Sequence, residues 1–183
     1  MNLELGRPAD CTAREARETR TYDLLDRLGI SYGRVDHAAA ETMEDCATVE
    51  RVLNAPICKN LFLSNRQGTA FYLLLMPAEK PFRTKELSAA IGSARLSFAS
   101  PAQMETLLDI HPGAVSVMGL MNDTENRVQL LIDEDVLAKE WLGCHPCVNT
   151  SCLRMKTDDV IKIFLPAVRH TYRAVRLIGC VEA

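Results

Sequence analysis

Ile57-Cys58-Lys59-Asn60-Leu61-Phe62-Leu63-Ser64, then Asn65-Arg66-Gln67-Gly68, then Thr69-Ala70-Phe71-Tyr72-Leu73-Leu74-Leu75-Met76 is the passage that decides the architecture. Two apolar runs flank a polar turn ending in glycine, which reads as two strands joined in an antiparallel hairpin. On the first strand Ile57, Lys59, Leu61 and Leu63 share one face, because successive side chains alternate. A lysine in the middle of an apolar face either snorkels to an edge with its head in water or points into a cleft. In a cleft its ammonium would bind a carbonyl, carboxylate or phosphate.

Outward from the hairpin, helices and strands interleave. Upstream, Arg14 to Leu28 reads as a helix stopped by Gly29, Ile30 to Asp36 as extended, and Thr42 to Leu53 as a second helix. Downstream, Thr84 is expected to cap a helix through Ile91, Leu96 to Ala99 is a short strand, and Ser100-Pro101 opens a helix to Asp109. Ala114 to Leu120 reads as extended and Arg127 to Ile132 as a strand. Asp135 to Leu142 reads as a helix leading into a Cys/His loop. Thr157 is expected to cap a last long helix, Asp158 to Val168, before the strand Arg173 to Ile178. There is no internal repeat, no linker and no regular βαβ rhythm. The expectation is a single α+β domain, residues 1–183 with a core over about 20–178, built on a mixed, largely antiparallel sheet flanked by helices.

The 183 residues are 48% hydrophobic and 25% charged, enough apolar surface for a core and too much for a disordered chain. No run approaches the roughly 18 apolar residues of a membrane span, and the first twenty residues lack the apolar centre of a secretion signal. A cytoplasmic protein without membrane contact is expected. Twenty-one Lys+Arg against 24 Asp+Glu leave a net charge of −3, unlike a protein that grips duplex phosphates. The clusters Lys80, Arg83, Lys85, Arg95 and Lys162, Arg169, Arg173, Arg176 read as solvated faces that leave room for local nucleic-acid contact.

Cys11, Cys46, Cys58 and Cys180 are scattered and read as small buried hydrophobes. Cys144, Cys147 and Cys152 cluster around His145. As metal chemistry, Cys144, His145, Cys147 and Cys152 supply four zinc-type ligands, but adjacent Cys-His ligands strain the chelate. As redox chemistry, Cys144-His-Pro-Cys147 has the C-x-x-C form, but it lies late in the chain rather than opening a helix after the first strand. Simple packing of a Cys-rich loop is the third reading. His145, held by Pro146, and Asn149 offer donors and acceptors suited to positioning a polar ligand, or a water beside an ester. The plainer alternative has Asn149 capping the next segment and His145 bonding a backbone carbonyl. Gly119, ending the apolar segment, would let the backbone approach a ligand closely. There is no phosphate-cradling Gly-rich loop, G-x-S-x-G elbow or H-E-x-x-H.

Five blocks carry a resemblance. They are Lys59-Asn60-Leu61-Phe62-Leu63, Ser93-Ala94-Arg95-Leu96-Ser97-Phe98-Ala99-Ser100-Pro101, Pro112-Gly113-Ala114-Val115-Ser116, Gly119-Leu120-Met121-Asn122-Asp123 and His145-Pro146-Cys147-Val148-Asn149-Thr150. In order and spacing over roughly residues 20 to 178 they resemble the ProX/YbaK family of aminoacyl-tRNA deacylases, and especially its free-standing prolyl-tRNA editing members. The resemblance implies hydrolysis of the ester between a small amino acid and the terminal ribose of tRNA, with alanine on tRNA(Pro) the expected substrate and prolyl-tRNA synthetase a further partner. It implies no cofactor and no metal. Lys59 would be the essential lysine near the terminal adenosine, and His145 the pocket histidine with Asn149 beside it. Asn60, Pro146 and the stretch Val115, Ser116, Val117, Met118, Gly119 would line the pocket. Two segments depart from the family pattern: His37-Ala-Ala-Ala-Glu-Thr42 replaces a Pro- and aromatic-containing stretch, and Val117-Met118 stands where many members have Pro-Phe. A non-catalytic module binding an amino acid or aminoacyl-tRNA in the same pocket is the alternative.

Overall fold

The computed structural model describes residues 1–39 and 43–179, with the side chains of 43–46 left aside. The expectations placed on residues 40–42 and on the Cys46 and Cys180 thiols therefore fall outside the described residues. The hairpin forms as expected: β3 (Cys58–Asn65) pairs antiparallel with β4 (Phe71–Pro77), from Cys58 opposite Pro77 to Ser64 opposite Phe71. Asn65 makes the turn, its Oδ1 accepting from the Thr69 and Ala70 N–H groups at 2.9 and 3.1 Å. β5 (Leu96–Phe98) adds antiparallel to β3, while β6 (Val128–Asp133) and β9 (Tyr172–Val175) add in parallel beyond β4. The resulting five-stranded sheet has the order β5-β3-β4-β6-β9.

A second, four-stranded antiparallel sheet was not anticipated. It orders β1 (Glu4–Leu5), β2 (Gly33–Asp36), β8 (Ser151–Lys156) and β7 (Trp141–Cys144). The expected helix over Asp135 to Leu142 shrinks to α5 (Glu134–Leu137), and Trp141 and Leu142 pair with β8 instead. The two sheets meet where Ile57 bridges Gly143 in parallel and the Gly143 N–H donates to the Pro56 carbonyl at 2.8 Å. A Cβ on Gly143 would stand 2.9 Å from that carbonyl oxygen and 3.1 Å from the Ile57 Cα, so the junction requires glycine.

Alternation then gives the pair of sheets two faces. One face carries the main core: Phe62, Leu73, Leu75, Leu130 and Ile132 from one sheet, Leu142, Cys144, Leu153 and Met155 from the other, against Tyr22 and Leu25 of α1 (Ala16–Arg27). On the opposite face α2 (Met43–Leu53) covers the second sheet through Val49, Leu53, Val35 and Cys152. There α3 (Thr84–Ile91) covers the first sheet through Leu87, Leu63, Leu74 and Met76. This mixed, mostly antiparallel α+β arrangement is the one the sequence pointed to.

Local differences have local causes. Ser100 caps α4 (Pro101–Leu108) in a full capping box with Gln103, as its Ser-Pro-x-Gln pattern promises. Thr84 and Thr157 instead lie inside their helices, behind Arg83 and Lys156, which make no side-chain cap. The last helix is broken into α6 (Thr157–Asp159), a π-helical turn over Val160–Phe164 and α7 (Leu165–Ala167). Pro166, which has no N–H to donate, accounts for an irregular ladder there. The expected extended run to Leu120 is a 3-10 helix over Val117–Asn122, with the Ser116 hydroxyl accepting from the Met118 N–H at 3.2 Å.

Candidate active site

Lys59 lies at the sheet junction. Its Nζ donates to the Lys80 carbonyl at 2.9 Å, which leaves two N–H groups of the ammonium for other partners. That carbonyl is itself fixed. The Lys80 ammonium reaches Asp133 at 2.8 Å, Asp135 at 2.7 Å and the Leu177 carbonyl at 2.7 Å, with Asp133 fully buried. Lys80 was read as part of a solvated basic face; the structure makes it the strut that positions Lys59. Only Asp133, directly after the apolar run Leu130-Leu131-Ile132 at the end of a strand, could have hinted at a buried partner.

Lys59 also lines an open cleft of about 600 Å³ with Leu61, Phe82, Arg83, Thr84, Lys85 and Phe98. That size is within the range of small-molecule sites. Phe98 is 62% exposed and meets Phe82 edge-on, ring centroids 6.1 Å apart. An exposed ring backed by a half-buried one, among cations, is a surface on which a nucleobase can stack while phosphates pair with ammonium and guanidinium groups. Phe98 lies in one of the five resembling blocks, but its neighbours Ser97 and Ala99 give no local signal that its ring is exposed.

His145 comes to the same face by register. It and Lys59 each stand two residues beyond the Ile57–Gly143 bridge, and alternation along β7 puts His145 with Trp141 and Gly143, on the side where α2 packs. Its Nδ1 donates to the Ser151 carbonyl at 3.0 Å, which leaves Nε2 as the acceptor of a neutral ring. Burial pushes its pKa down, the Ser151 bond partly opposes this, and His37 lowers it further, so the ring is neutral at pH 7. The backbone-carbonyl alternative for His145 is thus observed, and it fixes a tautomer rather than ruling out a ligand role.

The remaining residues divide. Asn60 alternates to the main-core face, its Nδ2 on the Cys58 carbonyl at 2.8 Å and its Oδ1 buried without a partner. Ser116 bonds the Cys144 thiol on that same side. Val117 and Met118 are fully buried in the core, so their side chains serve packing. Gly119 makes a close approach, but to protein: a Cβ there would stand 2.5 Å from Ile110 Cδ1 and 3.1 Å from Leu108 Cβ. Val115 is partly buried, Pro146 buried and Asn149 exposed, its amide nitrogen 3.6 Å from where a Cβ on Gly113 would lie.

The four-ligand and C-x-x-C readings of the cysteines both fail. Cys144 and Cys147 point into the main core, where burial pushes each thiol up to about 12. A thiol so hard to ionise is neither a redox nucleophile nor a ready ligand. Cys152 faces the other way, towards His145 and His37.

This fold and site have relatives. Residues 37–163 match the aminoacyl-tRNA editing domain family. The chain is 31% identical over 153 residues to the prolyl-tRNA editing protein ProX of Acetoanaerobium sticklandii, covering 84% of this chain and 93% of that one. It is 26% identical over 151 residues to the prolyl-tRNA synthetase associated domain-containing protein 1 of Danio rerio, 81% of each chain. A crystal structure provisionally described as a trans-editing enzyme for prolyl tRNA synthetase superposes with a TM-score of 0.65 at 16% identity, over 89% of this chain and 98% of that one. The chain belongs to the aminoacyl-tRNA editing domain family, the class whose reaction is hydrolysis of a mischarged aminoacyl ester. Within that class it stands with the free-standing prolyl-tRNA editing deacylases that the sequence blocks resembled. No helix among the described residues is long and apolar enough to cross a membrane.

Proposed function

We propose that the whole chain, residues 1–183, works as one cytoplasmic editing domain that hydrolyses Ala-tRNA(Pro) after release from prolyl-tRNA synthetase. The observation that carries this reading is the placement of Lys59. Its ammonium lines an open cationic cleft that carries the exposed Phe98, and strand register puts it on the same face as a neutral, half-buried histidine. The terminal adenine stacks on Phe98, and the phosphates beside it meet Lys85 and the rim of the cleft. The two N–H groups of Lys59 not engaged by Lys80 hold the ribose side of the ester and the oxyanion that develops on its carbonyl. The alanyl group then extends towards His145, whose Nε2 accepts a hydrogen bond from the substrate ammonium. Asn60 and the segment Val115 to Gly119 lie behind this face, on the main-core side, and support it from beneath.

An aminoacyl ester is already activated, so a positioned water and one oxyanion donor suffice without a covalent nucleophile. Proline is rejected by size, the discrimination a tight pocket makes well. Single-turnover deacylation of Ala-tRNA(Pro) beside Pro-tRNA(Pro), with wild type and Lys59→Ala, tests the reading. Expected is rapid loss of alanine alone, slowed about 10²–10³-fold by the substitution, the size of a lost oxyanion donor. Tight binding by the wild-type protein with no turnover would overturn the reading in favour of a non-catalytic module.

A further inference from the structure

We infer that His37, His145 and Cys152 form a binding site for a thiophilic divalent cation of the zinc class. The backbone builds it. Cys144 pairs with Leu153 across the β7–β8 hairpin, so His145 follows directly opposite Cys152. The His37 N–H donates to the Thr150 carbonyl at 3.0 Å, which sets His37 diagonal to Cys152 from the other side. All three side chains thus converge on one face, and their donor atoms lie within 4.8 Å of one another.

The distances fit a metal. His37 Nε2 and His145 Nδ1 are each 3.4 Å from the Cys152 sulfur. Zinc bonds at tetrahedral angles separate a nitrogen and a sulfur ligand by roughly 3.5 Å. His37 is set for the role: its Nδ1 donates to the Ala38 carbonyl at 2.7 Å, which leaves the Nε2 lone pair directed at Cys152. A thiolate and two imidazoles favour zinc-class ions over magnesium or calcium, and three protein ligands leave a fourth position for water.

Binding balances simply. The Cys152 thiol gives up its proton to solvent, and the proton on His145 Nδ1 moves to Nε2, so one proton leaves per cation. The same tautomer change turns His145 Nε2 from acceptor to donor. A loaded site therefore disfavours an ammonium group at that atom.

The site stands on its own geometry, independent of which ester the protein hydrolyses. Its test is titration of the full-length protein with Co²⁺, which reports a thiolate ligand by its charge-transfer absorption, followed by displacement with Zn²⁺. Expected is saturation at one Co²⁺ per chain, loss of the charge-transfer band in Cys152→Ser, and affinity at least about 10-fold weaker in His37→Gln. Circular dichroism of both variants controls for folding. A band of undiminished intensity in folded Cys152→Ser, or no thiolate band in the wild type, would overturn the assignment.

Discussion

The two ends of the face that carries Lys59 differ in almost every physical respect. At the second-sheet end, His145 is desolvated and neutral, and the surrounding groups are His37, Cys152 and backbone carbonyls. At the first-sheet end the cleft is open, its lining offers Arg83 and Lys85, and Phe98 is set out in solvent. One end suits a small group that must be inspected closely; the other suits an anionic, aromatic one that must be held and released. Lys59 stands where they join. On the proposed reading, a chain of net charge −3 would handle a nucleic-acid end by concentrating cations in one cleft, without becoming basic overall.

The largest way to break this arrangement is at the strut. Lys80→Met strands the buried Asp133 carboxylate and is expected to cost about 3–5 kcal/mol, as removal of one partner of a buried pair does. Urea unfolding checks it. A loss under about 1 kcal/mol would mean that Asp133 is satisfied without the Lys80 ammonium, its Asp135 N–H donor at 3.0 Å sufficing.

Next comes the joint between the two ends. Gly143→Ala forces a Cβ against Pro56 O and the Ile57 backbone, none of which is a flexible side-chain tip. About 1–3 kcal/mol of stability is expected to go, the ordinary cost of overpacking. Deacylation by the folded fraction should fall as well, because the register that puts His145 and Lys59 on one face is what moves. Unfolding and active-site titration together separate the two effects.

How much of this was legible follows from where each signal lives. The β3–β4 hairpin announced itself because a long apolar run, a polar turn and a second apolar run are all local in sequence. The second sheet did not. β7 is four residues with a glycine in the middle, and β8 alternates Cys152 and Arg154 against Leu153 and Met155 in a pattern too mixed to stand out. Its existence depends on β2, more than a hundred residues earlier, which is a tertiary fact. The same limit applied to the site. Lys59 was visible as a charge on an apolar strand face, and His145 as a titratable group in a rigid loop. Lys80 and Cys152 were not separable from their neighbours, since the sequence does not say which of the three clustered cysteines faces out of the core. Gly119 shows the converse: a glycine after an apolar run suggested room for a ligand, and Ile110 and Leu108 fill that room.

The open end can be tested apart from the closed one. Phe98→Ala removes the stacking surface and leaves the Lys80 strut untouched. Loss of one base–aromatic stack is worth about 1–3 kcal/mol. It is expected to appear as a raised KM for Ala-tRNA(Pro) with kcat nearly unchanged. An equal fall in kcat would place Phe98 closer to the reacting ester than the cleft suggests.

The smallest effect sharpens what holds the strut. Lys80 bridges one buried and one exposed carboxylate, and the hydrogen bond it gives Asp135, with its charge, lowers the Asp135 pKa below the ordinary 3.8. A carboxylate whose folded pKa is depressed contributes stability that is fully present above its unfolded value and is lost as pH falls through the folded one. The contribution of Asp135 should therefore be constant from neutrality down to about pH 4 and fade below that. Because its side chain is exposed to solvent, the effect is that of a surface pair. The difference in urea midpoint between wild type and Asp135→Asn, followed with pH, measures it: small and positive near neutrality, vanishing in acid. Lys59 should stay in place throughout, since Asp133 and the Leu177 carbonyl still hold the Lys80 ammonium. A kcat for Asp135→Asn that fell well below wild type at neutral pH would show that the exposed carboxylate, rather than the buried one, sets the position of Lys59.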